Sequence, residues 1–343
     1  MQAAQRVSPV VEMERLRKVK KLRSLLHKLC RKAGLSAVPL LCFERWLCRC
    51  KLHEHSLSGS AAGLGNGRTV APDVLELELL LPCTEWVDPG LVRDLGRTKM
   101  PEHTAREIAA KLAKQSSDAA AALRDMDESG PEGSGAEPPV SVEKAKGALR
   151  LSLGTARPYM ELNKQHYSKL WVMYKRYYHA KGAPVSASGG GGGGGVESSQ
   201  SSKEAFHRRL WTMLARYSAL SGHGYQAALS EQGFDVLREA MGVELECFAS
   251  PLNCHLGRHC SAFPDTDAPF GSIGSFFDFR PAAGSFEANP PFVPEMMSAM
   301  ARHMEALLSQ ADGPLSFAVI IPAWKEVAAW QQLHRSAHHR ATW

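Results

Sequence analysis

The sequence predicts an α/β protein in which a mainly helical region precedes an open parallel sheet. The last third alternates short apolar strands with helical segments, and the first third repeats apolar residues at helical spacing. A helix between two strands is typical of a parallel sheet, because the crossover lets both strands run the same way. At 343 residues, of which 44% are hydrophobic, the chain has room for two globular domains on a prior of ~150 residues each.

The first helix is predicted over the basic segment from Arg15 to Lys32, where nine of eighteen residues are Lys or Arg. Its apolar residues recur at spacings of three and four, at Leu16, Val19, Leu22, Leu26 and Leu29. This pattern predicts an amphipathic helix with a cationic outer face. Two interpretations stay open for that face, a solvated surface and a contact with a phosphate backbone.

Composition divides the chain into a helical, basic, RNA-contacting domain over residues 1–115, a disordered linker over 116–149 and a second domain over 150–343. The linker prediction follows from its Ser, Gly, Pro, Ala and acidic residues. A tract of seven glycines predicts a disordered insertion at about 181–203. Helices are predicted on either side of that insertion and at Pro101 to Gln115.

In the second domain, strands are predicted at Val243–Phe248, Ser285–Ala288 and Leu315–Ile321, with helices at Gly233–Met241 and Pro294–Gln310. Ligands of open parallel sheets bind at the carboxyl ends of the strands. The loops after Phe248 and after Ala288 are therefore candidate binding loops.

The second of these loops, Asn289-Pro290-Pro291-Phe292, carries the sharpest chemical signal. Two prolines fix φ and remove two N–H donors, so the loop is stiff. An amide oxygen and a backbone carbonyl held at one point suit an amine with two N–H groups, and Phe292 offers a face on which a base stacks. Such a loop favours transfer of a methyl group to a planar amine by alignment and preorganised electrostatics. The alternative is a proline-rich turn that begins a helix.

The wider sequence resembles a known family. Asn289-Pro290-Pro291-Phe292 is similar to the motif of amino-group methyltransferases. The stretches Glu246 to Cys254, Cys260 to Asp267 and Gly284 to Phe292 resemble the phosphorylated-CTD-interacting factor family of cap-specific adenosine N6-methyltransferases. The resemblance implies a Rossmann-like S-adenosylmethionine-dependent domain, incomplete at the C-terminus, that methylates the 2′-O-methyladenosine next to the 7-methylguanosine cap of mRNA in the nucleus.

By resemblance, three sets of residues are assigned. The adenine and methyl-donor site is Asn289, Pro290, Pro291 and Phe292. Further donor-binding residues are Ala249, Ser250, Pro251, Asn253 and Asp278. The residues that meet the capped RNA are Arg45, Arg93, Glu295, Trp324, Lys325 and Glu326. Arginine suits phosphate because its guanidinium binds in a bidentate manner, and a helix-surface arginine is the alternative for each of the two.

Other functional classes gain little support. The sequence has neither a Gly-x-Ser-x-Gly elbow nor a phosphate-loop Gly-Lys-Ser/Thr, which argues against hydrolases and P-loop enzymes. No apolar run approaches a membrane span, the start lacks an apolar signal region, and eight sparse cysteines favour free thiols. Two Cys/His clusters are spaced unlike common zinc sites, so no metal is expected.

Two departures from the family keep alternatives open. The three-stranded, two-tryptophan pattern of a WW module is not found, which weighs against the phosphorylated RNA polymerase II tail as a second partner. The sequence ends soon after the third strand, so a truncated sheet is expected. The alternatives are a non-catalytic RNA-binding remnant and an amino-methyltransferase that acts on DNA adenine or protein.

Overall fold

The computed structural model describes residues 8–61, 80–128, 138–155, 158–178, 197–220 and 229–343. The chain forms two compact units. The helical unit holds residues 10–137 and 215–223, and the sheet unit holds residues 1–9, 138–214 and 224–343. The glycine-rich loop at 63–67 and the strand expected at 74–79 lie outside the described residues.

The described part of the helical unit before residue 129 contains the helices α1 (Pro9–Lys32), α2 (Cys42–Ala61), α3 (Pro89–Gly96) and α4 (Glu102–Glu128). The apolar stripe predicted on α1 is buried at Leu16, Val19, Leu22 and Leu26, whereas Leu29 is half-buried. An ion pair also lies in this core. Arg216 donates two hydrogen bonds of 2.8 Å to the Glu12 carboxylate, and both residues are buried. Burial of such a pair is tolerated because each charge is met by its partner.

The linker predicted at 116–149 is wrong for most of its length, and only residues 129–137 lie outside the described part of the chain. Helix α4 continues from Gln115 to Glu128. The alanines at 119–122 explain this extension, since alanine has the highest helix propensity. Ser116 is buried and its hydroxyl donates to the carbonyl of Pro82 at 2.8 Å. A small-residue composition therefore conceals a packed helix.

The end of the predicted linker belongs to an antiparallel sheet that the sequence analysis did not anticipate. Its strands are β1 (Val140–Ala145), β2 (Ala148–Leu153) and β3 (Met160–Asn163), paired in that order. Gly147 allows the tight turn between β1 and β2 because its φ is 76°. Leu151 and Leu153 alternate with more exposed residues along β2 and are buried, as one face of such a sheet requires.

In the described residues between β3 and the parallel sheet, the helices are α5 (Lys164–Tyr177), α6 (Glu197–Leu220) and α7 (Glu231–Met241). The aromatic residues of α5 form a packed cluster, in which Tyr174 lies 5.3 Å from Phe206 between ring centroids. Helix α6 begins at Glu197, inside the segment expected to be a disordered insertion. That prediction is wrong for residues 197–203, and residues 181–196 lie outside the described ones.

The parallel sheet has the order β4 (Val243–Glu246), β5 (Gly284–Ala288) and β6 (Leu315–Val319). Both neighbouring pairs are parallel. A short helix, α8 (Pro264–Asp267), and two 3-10 turns lie between β4 and β5, while α9 (Pro294–Gln310) connects β5 to β6 and α10 (Ala328–Arg335) follows. The helix boundaries of α9 agree with the prediction. Met300 and Met304 of α9 pack with Phe286 and Ala288 on one face of the sheet.

All eight cysteines are free thiols. Among the described residues, no helix is both long and apolar enough to span a membrane.

Candidate active site at the carboxyl ends of the parallel strands

The carboxyl ends of β4, β5 and β6 lie along one edge of the sheet. Glu246 pairs with Glu287 across β4 and β5, and Ala288 pairs with Val319 across β5 and β6. Because the strands are parallel and in this register, the loops that follow them begin at the same edge. These loops contain most of the residues assigned to the donor and substrate sites from the sequence.

Asn289-Pro290-Pro291-Phe292 leaves β5 at this edge. The pairing extends past the strand, since the N–H of Ile320 donates to the carbonyl of Ala288 at 2.9 Å. Asn289 is 7% exposed, and its amide oxygen is buried. The N–H of Val293 donates to the carbonyl of Pro291 at 2.7 Å, a tight turn that leads into α9 at Pro294. The motif is therefore a short, constrained connection between a strand and a helix, as predicted.

Phe292 is half-buried and lies beside the loop that follows β6. Its ring centroid is 6.4 Å from that of Trp324, with the planes at 74°. Trp324 is 38% exposed, and its backbone N–H donates to the carbonyl of Pro322 at 2.7 Å. The structure thus brings together two aromatic residues that the sequence assigned separately. An edge-to-face pair leaves ring faces on which a planar base stacks.

Three other assigned residues lie on the same two loops. Glu295 is in the first turn of α9, directly after the motif. Lys325 and Glu326 are exposed and follow Trp324.

The loop Ala249 to Cys254 follows β4 and is held by a side-chain turn. The Asn253 amide oxygen accepts hydrogen bonds of 2.7 Å from both the N–H and the hydroxyl of Ser250. Pro251 is buried, whereas Ala249 and Ser250 are half-buried. Asn253, assigned to donor binding, therefore has its amide oxygen committed to the shape of this loop.

Two residues that the sequence analysis missed also fix this loop. The ammonium of Lys169 on α5 donates to the carbonyl of Cys254 at 2.6 Å and to that of Leu252 at 3.4 Å. The Glu246 carboxylate accepts from the N–H groups of His255 and Leu256 at 2.6 and 2.7 Å. A lysine among aromatic residues gave no sequence signal for this role.

Asp278 ends a 3-10 turn, Phe276–Asp278, and is exposed. The turn packs toward the end of β4, because Phe276 lies 4.8 Å from Phe248 between ring centroids. Phe248 directly precedes the loop that begins at Ala249. The turn that carries Asp278 therefore packs near the start of this loop, and the Asp278 side chain is open to solvent.

The second residue group that sequence reasoning missed is a pair of buried carboxyl groups. Glu246 is 4% exposed and Glu287 is 1% exposed. Burial, and then the Glu246 carboxylate, raise the pKa of Glu287 to about 8. Burial likewise raises the pKa of Glu246, although the N–H groups of Leu256 and His255 oppose that shift. The available sequence signal for Glu287 was a single acidic residue in the otherwise uncharged strand sequence Gly-Ser-Phe-Glu-Ala.

The two arginines assigned to capped RNA lie in the helical unit. Arg45 on α2 has its Nε 3.6 Å from Asp94 on α3, so its charge is partly neutralised. Arg93 is the neighbour of Asp94 and is exposed. The structure therefore places Arg45 beside the Asp94 carboxylate, whereas Arg93 on α3 is the more accessible of the two arginines.

A basic groove also runs along α1 in the helical unit. It is lined by Arg23, Ser24, His27, Lys28, Arg31 and Lys32. Arg23 is committed within the unit, since it donates to Glu44 at 2.9 Å. Lys28, Arg31 and Lys32 are exposed on the outer face that the sequence predicted.

Within the described part of the chain, no group of three or more His, Cys, Asp or Glu side chains is arranged to hold a metal ion. The first Cys/His cluster of the sequence consists of Cys48, Cys50, His53 and His55. Cys50 is buried, and burial raises its pKa well above the usual value. His53 stacks on Trp86 with ring centroids 4.1 Å apart.

Residues 194–343 match the family model described as the phosphorylated CTD interacting factor 1 WW domain. This span includes all three parallel strands and the Asn-Pro-Pro-Phe loop. Through these residues the chain is similar to that family. Where it is described, the matched span forms helices and a parallel sheet, and it contains the candidate site.

Two curated relatives match this chain over the same number of residues and at nearly the same identity. A Homo sapiens protein named mRNA (2′-O-methyladenosine-N(6)-)-methyltransferase is 42% identical over 173 residues, and a Mus musculus protein of the same name is 43% identical over 173 residues. Each match covers 49% of this chain but only 22% of the relative. The chain therefore matches less than a quarter of the length of either relative.

Proposed function

We propose that the chain carries an S-adenosylmethionine-dependent methyltransferase site that methylates N6 of the 2′-O-methyladenosine next to the 7-methylguanosine cap of mRNA. The observation that carries this proposal is the Asn289-Pro290-Pro291-Phe292 turn at the end of a parallel strand, with Phe292 beside Trp324. The proposed acceptor, 2′-O-methyladenosine in mRNA, is taken from the names of the two relatives. A Rossmann-like completion of the three-stranded sheet and action in the nucleus belong to the same proposal.

The residues at this edge fit the methyl donor. Asn289 presents a buried amide, and the loop Ala249 to Cys254 is held in shape by Lys169 and by its own Asn253. A bound S-adenosylmethionine would supply an electrophilic methyl carbon. Asp278, exposed beside that loop, is suited to accept from ribose hydroxyls.

The chain's own residues would act by position and electrostatics. An acceptor amine held by the Asn289 amide oxygen and the Pro290 carbonyl has its lone pair turned out of the base plane, toward the donor. Phe292 and Trp324 would hold the base by stacking, a contact worth about 1–3 kcal/mol per base. Methyl transfer then needs the amine to lose one proton after the new C–N bond forms.

The test is transfer of a labelled methyl group from S-adenosylmethionine to a set of matched acceptors. These are capped RNA beginning with 2′-O-methyladenosine, the same RNA without the cap, duplex DNA and a protein extract. We expect transfer to the first acceptor above the others. Transfer mainly to DNA or protein would support another amino-methyltransferase, and RNA binding with no transfer to any acceptor would support a non-catalytic remnant.

Variants connect the activity to the site. Asn289→Ala and Phe292→Ala should each lower kcat/KM at least tenfold, about 1.4 kcal/mol of transition-state stabilisation. Gln232→Ala is the matched control, since it removes an amide from the exposed face of α7. Unchanged transfer by Asn289→Ala would overturn the proposed mechanism.

A further inference from the structure

A row of polar residues crosses the face of the sheet that is turned away from α9. Glu287 pairs with Glu246, and Glu246 pairs in turn with His259 through an isolated bridge. Residues paired in parallel strands point to the same face. Since Phe286 and Ala288 pack with Met300 and Met304 on the other face, Glu287 and Asn289 share the polar one.

The two carboxyl groups in this row differ in their partners. Glu246 accepts hydrogen bonds from the N–H groups of His255 and Leu256, so its charge is held by the loop. Glu287 is 1% exposed, and no residue in the described ranges forms a hydrogen bond with its side chain. A buried carboxyl group without a donor favours its neutral form, because its charge is not solvated.

The position of Glu287 links it to the proposed donor site. It precedes Asn289 by two residues on β5, and its partner Glu246 precedes Ala249 by three residues on β4. Glu287 therefore lies beneath the region between the two candidate loops. A strand rises about 3.3 Å per residue, which separates Glu287 from Asn289 by about 7 Å along the chain.

The charges around Glu287 in the described residues come from few elements. Glu246 on β4 is the nearest and is negative, while β6 places Ala318 opposite Glu287. Lys169 of α5 and His255 act on Glu246 rather than on Glu287. The pKa of His259, which burial lowers to about 4, leaves that ring neutral near pH 7. Burial and Glu246 raise the pKa of Glu287 to about 8, in agreement with a protonated group in the empty site.

On the basis of the proposed function, we infer that Glu287 distinguishes the cationic methyl donor from its neutral product. It holds a proton while the site is empty and releases that proton when a sulfonium cation binds between the loop Ala249 to Cys254 and Asn289. In this step the Glu287 carboxylic acid and the cationic ligand form a carboxylate–cation pair, and the proton passes to the buffer. S-adenosylhomocysteine, a thioether without the sulfonium charge, leaves the proton on Glu287.

The test is calorimetric titration of the whole chain with S-adenosylmethionine and with S-adenosylhomocysteine, in buffers of different ionisation enthalpy. At pH 7 we expect binding of S-adenosylmethionine to release about one proton more per molecule than binding of S-adenosylhomocysteine. From pH 6 to pH 8, the affinity for the donor should rise by up to about tenfold per pH unit, whereas that for the product stays level. The two ligands share nucleoside and amino acid, so the difference reports the sulfonium charge.

The variant Glu287→Gln should bind the donor without releasing this proton and without the pH dependence. Glu244→Gln, on the same strand as Glu246 but exposed, is the control and should behave as the wild type. Equal proton release with both ligands, or unchanged release by Glu287→Gln, would overturn the inference. The wild-type comparison of the two ligands decides it even where Glu287→Gln fails to fold. Binding of neither ligand would overturn the proposed function and this inference with it.

Discussion

At the scale of single residues, local hydrogen bonds decide what Asn253 does and burial decides what Glu287 does. Asn253 is exposed in a loop assigned to donor binding, yet its amide oxygen accepts two hydrogen bonds from Ser250. Glu287 carries an acidic side chain in a strand, and desolvation favours its neutral form. A glutamate at a more solvated position would simply carry a negative charge near pH 7.

The neutral form of Glu287 has a consequence for stability. The pKa of this carboxyl group is about 8 in the folded chain against an ordinary value of 4.5. Unfolding therefore releases a proton between these pH values, and the contribution of Glu287 to stability, present below about pH 4.5, is lost as the pH rises toward 8. The free energy of unfolding should fall by at most about 1.4 kcal/mol per pH unit from this group.

We expect Glu287→Gln to melt close to the wild type at pH 5 and above it at pH 8, because the amide has no proton to lose. Thermal unfolding at half-unit pH steps measures this difference. Glu244→Gln should run parallel to the wild type throughout. A constant difference between Glu287→Gln and the wild type at all pH values would contradict the assignment.

At the scale of elements, the three parallel strands place their following loops along one edge, but other elements fix the shape of those loops. Lys169 reaches from α5 to two carbonyls of the loop after β4. Hydrogen bonds that involve a charged group contribute about 1.5–3 kcal/mol each. The loop is therefore ordered by a helix about eighty residues earlier in the chain.

Replacing Lys169 by Met keeps the length of the side chain and removes the donor. Local opening of residues 249–256 should become easier by about 1.5–3 kcal/mol, seen as faster amide hydrogen exchange in this segment. Lys164→Met, at the exposed start of α5, is the matched control. Unchanged exchange in the loop after Lys169→Met would show that Lys169 does not hold it.

In the helical unit, the buried Arg49 of α2 forms ion pairs with two aspartates at α3 and packs against Gly90. Arg49 donates to Asp88 at 2.8 Å and lies 3.3 Å from Asp94, and a Cβ at Gly90 would overlap its guanidinium. Gly90→Ala should lower the free energy of unfolding by about 1–3 kcal/mol, as overpacking does. Gly96→Ala, where a Cβ meets no atom within 4 Å, should leave it unchanged or higher. Equal melting temperatures for the two variants would contradict this close contact.

At the scale of the whole molecule, the charge is unevenly arranged. The formal net charge is +6, and the outer face of α1 concentrates His27, Lys28, Arg31 and Lys32 along one groove. The candidate methyl-transfer site, in contrast, lies above two carboxyl groups in the sheet unit. A cationic surface of this kind binds polyanions through release of counterions, so its affinity depends on salt.

The charge-reversed variant Lys28→Glu with Arg31→Glu should bind capped RNA more weakly. The slope of log K against log salt should become shallower by about 1.4, at about 0.7 per lost phosphate contact on a single strand. Lys111→Glu, on an exposed position of α4, is a single-charge control for the change in net charge. RNA titrations at several salt concentrations measure the slopes, and identical slopes would leave the solvated interpretation of α1.

Much of the architecture followed from local patterns. The stripe of Leu16, Val19 and Leu22 predicted α1, and the bounds of α9 were predicted because Pro294 begins that helix and polar residues end it. The packed segments at 116–128 and 140–149 were missed, because small and polar residues resemble a linker until their partners are known. Ser116 shows this, since its hydroxyl is satisfied by Pro82, 34 residues away.

The sequence by itself determined the α/β pattern of the last third and the stiffness of Asn289-Pro290-Pro291-Phe292. These depend on chain-local properties, namely periodicity and the fixed φ of proline. Only the tertiary structure decided that Phe292 lies beside Trp324, that Lys169 holds the loop after β4 and that Glu287 is buried opposite Glu246. Desolvation and pairing between distant strands depend on the whole packed chain, so no local pattern encodes them.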